Sequence, residues 1–113
     1  MVRNTTTPDG PNVVVSISLP LSSACHILSR TTGFCDTDGT FCIYYHSIAA
    51  RTDTTGKVNI DAIEELHKAS DMSGSSVMPV ENAELFEIKV NGNVNGYPAY
   101  WTCELSIVQA VAP

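Results

Sequence analysis

Four cysteines and three histidines are the residues of this chain best equipped for chemistry, and two of the cysteines bracket a turn signal. The segment Cys35-Asp36-Thr37-Asp38-Gly39-Thr40-Phe41-Cys42 sets Asp38-Gly39 between two strand-forming runs. Asp-Gly favours a two-residue type I′ hairpin turn, which needs positive φ at both central positions. In that register Thr37 faces Thr40, Asp36 faces Phe41 and Cys35 faces Cys42. Directly opposed residues lie about 4.5–5.5 Å apart at Cα, within the span of a disulfide. The spacing therefore predicts a Cys35–Cys42 staple. Cys25 and Cys103 remain. A link between them would close a long loop worth ~4–5 kcal/mol, against ~2.5 for the short hairpin loop. Two buried free thiols are an equal expectation, because free Cys packs as a small hydrophobe.

Cys25-x9-Cys35-x6-Cys42-x3-His46 resembles the spacing of CCCH zinc fingers over 22 residues. The resemblance implies a zinc site made of Cys25, Cys35, Cys42 and His46, a proper ligand set for that ion. The second gap is long for the family, and the surrounding chain lacks its basic character. In a strand, Cys42 and His46 stand roughly 13 Å apart at ~3.3 Å per residue. A shared ion would force residues 42–46 to turn, so a structural disulfide is preferred and no metal or cofactor is expected.

Cys25-His26 invites a nucleophile–base reading, but neighbours in a strand point to opposite faces. A catalytic cysteine also needs a positive environment to lower its pKa, and the chain offers few cations. No enzyme is expected. Asp36-x-Asp38-Gly39 could open a calcium loop, yet the twelfth position, where a bidentate Glu is required, is Ser47. Tyr97, Tyr100 and Trp101, beside the amide-rich loop 91–96, could stack on a sugar or anchor a protein. Their plainer role is to cap the core, which is also open to Tyr44 and Tyr45.

The elements that must position these groups follow from periodicity. Residues 12–19 alternate Val13, Val15, Ile17 and Leu19 against Val14, Ser16 and Ser18, a half-buried strand. Residues 25–34 and 41–50 are the hairpin arms. Phe41, Ile43, Tyr45 and Ser47 share one face of the second arm, opposite Cys42, Tyr44, His46 and Ile48, as in a central strand. Residues 59–72 carry helix signals: Asn59 as N-cap, Val58 and Ile63 as a hydrophobic staple, and Glu64 four residues before Lys68. Ile60, Ile63 and Leu66 then form a narrow apolar stripe. Residues 85–90 and 97–111 read as one long hairpin, with Trp101, Cys103, Leu105 and Ile107 inward and Thr102, Glu104 and Ser106 outward. The expected fold is α+β and β-rich: a mainly antiparallel sheet, or a small sandwich, with one helix at about 59–72. Residues 1–11 form a polar N-terminal arm and 12–113 a single domain.

Bulk composition narrows the function. The formal net charge is −6, and the deficit lies wholly in the second half of the chain. A phosphate backbone would be repelled, so no nucleic-acid partner is expected. Charged residues make up only 16%, below the usual quarter, and hydroxyls and amides carry the solubility instead. No apolar h-region stands at the N-terminus and no run of ~18 apolar residues occurs, so neither a signal peptide nor a membrane span is expected. This composition suits an extracellular or virion location, with cytoplasmic synthesis compatible. The leading expectation is a non-enzymatic structural or assembly subunit of a virion or surface array. It would self-associate or bind neighbouring structural subunits, the arm making the contact. The alternative is a monomeric extracellular module that binds carbohydrate or protein through Tyr97, Tyr100 and Trp101.

Overall fold

The computed structural model describes residues 2–7, 11–92 and 95–113. Eight strands run through them: β1 (Val2–Thr7), β2 (Pro11–Ile17), β3 (Ser23–Cys35), β4 (Thr40–Thr52), β5 (Val58–Ser70), β6 (Ser76–Asn82), β7 (Leu85–Asn91) and β8 (Ala99–Val111). All pair antiparallel, in a five-stranded sheet of order β1-β8-β3-β4-β5 and a three-stranded sheet of order β2-β7-β6. The smaller sheet covers the inner face of the larger one, as in a sandwich. Phe86, Ile88, Val90 and Val15 meet Ile27, Ile48, Trp101 and Leu105 in the core.

Alternation in the long strands decides their faces. Odd residues of β3 and β8 and even residues of β4 point inward. Trp101, Cys103 and Leu105 are buried and Ile107 is partly so, while Thr102 and Ser106 are exposed and Glu104 is half-buried. β4 is a central strand, flanked by β3 and β5.

No helix forms among the described residues; 58–70 is a strand on β4. Two bulges explain why it looks helical. The pairing skips Asp61, between Ile60 opposite Ala50 and Ala62 opposite Ala49, and skips Leu66, between Glu65 opposite His46 and His67 opposite Tyr45. Each extra residue shifts the two-residue alternation by one. The partners of the inward β4 residues Ala50, Ile48 and His46 then fall at Ile60, Ile63 and Glu65, and Leu66 is itself a bulge residue, so the apolar spacing Ile60-Ile63-Leu66 arises without a helix. Pairing with β4 overrides local propensity.

The β3–β4 hairpin also takes a different register. Cys35 pairs with Thr40, Phe34 with Phe41 and Gly33 with Cys42, so the loop is the four residues 36–39. Gly39 has φ +73° but Asp38 has no positive φ, which excludes a type I′ turn. Asp38 instead uses its carboxylate to accept bonds from the Thr40 amide (3.1 Å) and hydroxyl (2.6 Å), the local bonding that Asp favours in turns. Open space surrounds Gly39, so Gly39→Val meets backbone strain alone. Chemical denaturation should show a loss of more than ~1 kcal/mol.

Three further corrections concern pairing. β7 and β8 are not one hairpin, because β7 pairs with β2 and β6 while β8 lies between β1 and β3. β6, which no sequence signal marked, returns into β7 through Ala83-Glu84, with Ala83 at φ 52°. In β2 a bulge between Val13 and Val15 buries both Val14 and Val15 and turns Val13 outward. Residues 2–7 of the arm add to the chain's own β8, Thr7 opposite Ala99 and Val2 opposite Glu104. The arm's Met1, Pro8, Asp9 and Gly10 lie outside the described residues.

Candidate functional site

The cysteines are scattered by the topology. All four are buried free thiols. Cys35 and Cys42 share the inner face as diagonal neighbours, because Cys42 lies two residues beyond Thr40, the partner of Cys35. Diagonal positions are about 7–8 Å apart, outside comfortable disulfide geometry. Cys25 faces Gln109 on β8, six residues from Cys103, or roughly 20 Å along the strand. The expected links therefore fail on register. Zinc fails on distance too: Cys25 and Cys35 stand ten residues apart on β3, roughly 33 Å, and no three metal-ligating side chains cluster among the described residues. Burial pushes the Cys42 and Cys103 thiols up, against opposing hydrogen bonds from Ser75 and Thr31 respectively. Both stay protonated at neutral pH, the reverse of an activated nucleophile. His26, on the opposite face from Cys25, bonds Ser47 at 2.8 Å.

Among the described residues His46 is the one buried histidine. It lies directly opposite Ser29 on β3 and Glu65 on β5, and stacks on Tyr44 at 6.0 Å between centroids. Lys68 Nζ sits 5.4 Å from the Tyr44 ring centre. Neither His46 Nδ1 nor Ser29 Oγ has a hydrogen-bond partner. Burial lowers the His46 pKa below the ordinary value, more than Glu65 raises it. In the unfolded chain histidine titrates at about 6.5. The neutral ring's contribution is thus fully present above that pH and is lost as pH falls through the lowered folded value. The expected result is a melting temperature that declines as pH falls below about 6.5, and a shallower decline in His46→Phe, which keeps the stacking.

The aromatic site expected beside loop 91–96 divides between interior and surface. Trp101 is 1% exposed and belongs to the core, whereas Tyr100 (49%) and Tyr97 (40%) are open. Within that loop Asn93 and Val94 lie outside the described residues. Tyr100 instead joins a row that sequence reading missed. Phe34 lies directly between Phe41 on β4 and Tyr100 on β8, all three on the outer face of the large sheet. The next row is Ile43, Thr32 and Thr102. Only the cross-strand register brings these residues together, so no linear spacing could mark them. Arg30 and Glu104, joined by a salt bridge, close the patch on one side. Farther along the same face a shallow, alanine-rich depression at Ala24 and Ala49 is bordered by His26, Val108 and the Arg51–Asp61 ion pair at 3.0 Å.

No helix of the described residues is long and apolar enough to cross a membrane. No family model matches the chain and no curated protein matches it. Solved structures share its fold. The tailspike protein of Acinetobacter phage vB_ApiP_P1 aligns with 96% of this chain at a TM-score of 0.55 and 11% identity. The tailspike protein of Acinetobacter baumannii phage AM24 aligns with 98% at 0.55 and 8% identity. The chain spans only 22% and 26% of those two proteins. The likeness is thus one of β-sandwich fold to a segment of each tailspike.

Proposed function

We propose that this chain is a non-enzymatic structural module of a virion, docking on neighbouring subunits through the outer face of its large sheet. The observation that carries the reading is the exposed row Phe41–Phe34–Tyr100, backed by Ile43. Contiguous exposed apolar groups mark interaction surfaces, and aromatic residues are enriched where proteins meet. Likeness of fold to segments of two phage tailspike proteins supports the virion setting. Because β1 pairs with its own β8, an arm-mediated contact would require β1 to exchange onto a neighbouring copy.

Tyr97 and Tyr100, both open on the same end of the chain, favour a second reading as a monomeric module binding carbohydrate or protein. Native mass spectrometry and sedimentation over a range of concentration separate the two. Assembly predicts oligomers whose order Phe34→Ser with Phe41→Ser lowers, without loss of β-structure. A 12.1 kDa monomer at every concentration would overturn the assembly reading.

A further inference from the structure

The two edges of the large sheet are finished differently. Along β5 stand Asp61, Glu64, Glu65, His67 and Lys68, and two bulges interrupt the run. Edge charges and bulges are the devices that keep a strand from pairing with another chain. On the other side β1 covers β8 only as far as Glu104, the partner of Val2. From Ser106 to Val111, β8 pairs with β3 on one side and with no strand among the described residues on the other. That stretch, Ser106-Ile107-Val108-Gln109-Ala110-Val111, carries no charge and no proline, and its register with β3 has no bulge. Val108, at 73% exposure, and Gln109, Ala110 and Val111 are open whichever face they occupy. Among the described residues one edge is guarded and the other is not.

We propose that this open stretch of β8 pairs antiparallel with the same stretch of a second copy, about a two-fold axis at Gln109, joining two five-stranded sheets into one. The proposal rests on the assembly reading and names its partner. A two-fold axis perpendicular to the sheet keeps inner and outer faces continuous, so residues that meet must both be odd or both even. With the axis at Gln109, Ile107 meets Val111 of the second copy and Val108 meets its Ala110. The two Gln109 amides face each other, each able to donate and accept. Apolar groups meet apolar groups, and amide meets amide. An axis at Val108 would instead set Ile107 against Gln109. Among the described residues β1 pairs with β8 no farther than Glu104, short of the paired stretch. The contact is isologous, the commonest way in which identical chains close into dimers.

Sedimentation and native mass spectrometry of the full chain, Gln109→Glu and Gln109→Lys test this. Each substitution sets like charges against each other on the axis and should weaken self-association by about tenfold or more. Mixing the two variants should restore dimers, of mixed composition. Circular dichroism checks the fold, and Val108→Lys, at the most exposed edge position, serves if a Gln109 variant does not fold. Association unchanged in the charged variants overturns edge pairing and leaves the assembly reading standing. Weakening without rescue on mixing overturns the pairing centred on Gln109. A full chain that stays monomeric overturns both.

Discussion

Trp101→Ala should cost about 3–5 kcal/mol, the range for truncating a large buried aromatic. The indole is 1% exposed and lies on the inner face of β8, opposite Gly33 of β3. Gly33 is part of the same packing unit. A Cβ added there would stand 2.6 Å from Trp101 Cζ3 and 2.7 Å from Cε3, closer than any real contact. Gly33→Ala in the native background should therefore destabilise by about 1–3 kcal/mol through overpacking. In the Trp101→Ala background the ring is gone and so is the collision. Adding Gly33→Ala there should cost much less, giving a coupling of about 1 kcal/mol or more in a double-mutant cycle. Equal costs of Gly33→Ala in both backgrounds would mean that the ring does not rest on Gly33.

Leu105→Ala is the next largest expected effect, about 2–5 kcal/mol. Leu105 is 3% exposed and directly opposite Ser29 on β3. Its neighbour Glu104 points to the outer face and pairs with Arg30, with both side chains substantially exposed. Exposed ion pairs contribute little, so Glu104→Ala should change stability by no more than about half a kcal/mol. Urea unfolding of the two variants compares adjacent residues that differ in face alone. Equal effects would mean that β8 is buried on both sides.

The strands whose faces follow a plain two-residue period were legible in the sequence. β4 and β8 are of this kind, as are Phe86, Ile88 and Val90 of β7. What could not be read there depends on pairing partners far away in the chain. The bulges at Asp61 and Leu66 turned a strand into an apparent helix, because only β4 determines where the extra residues fall. Asp38-Gly39 looked like the tightest hairpin turn, but the Asp38 carboxylate bonds to Thr40 and the loop widens to four residues. That widening separates Cys35 from Cys42. β6 escaped notice because Pro79 sits within it, and proline argues against a central strand; β6 is an edge strand, where proline is tolerated. The candidate site was half legible. Tyr100 was singled out from its neighbours in sequence, whereas its companions Phe34 and Phe41 come from two other strands.

The place of β8 between β1 and β3 also governs how the chain can fold. The last strand in sequence is an interior strand of the large sheet and carries Trp101 and Leu105 into the core. While the chain is being synthesised, β1 has no partner and β3 has only β4, so an apolar edge of β3 waits uncovered. Sheet closure joins β8 to β1 and β3, far earlier in sequence, an ordering that costs loop entropy before contacts repay it and that places such β-proteins among slow folders. Protein synthesis must pass residue 105 before the hydrophobic interior can be completed. Truncation within β8 therefore yields not a shorter module but an unfinished sheet, exposed to the association that affects incomplete β-proteins.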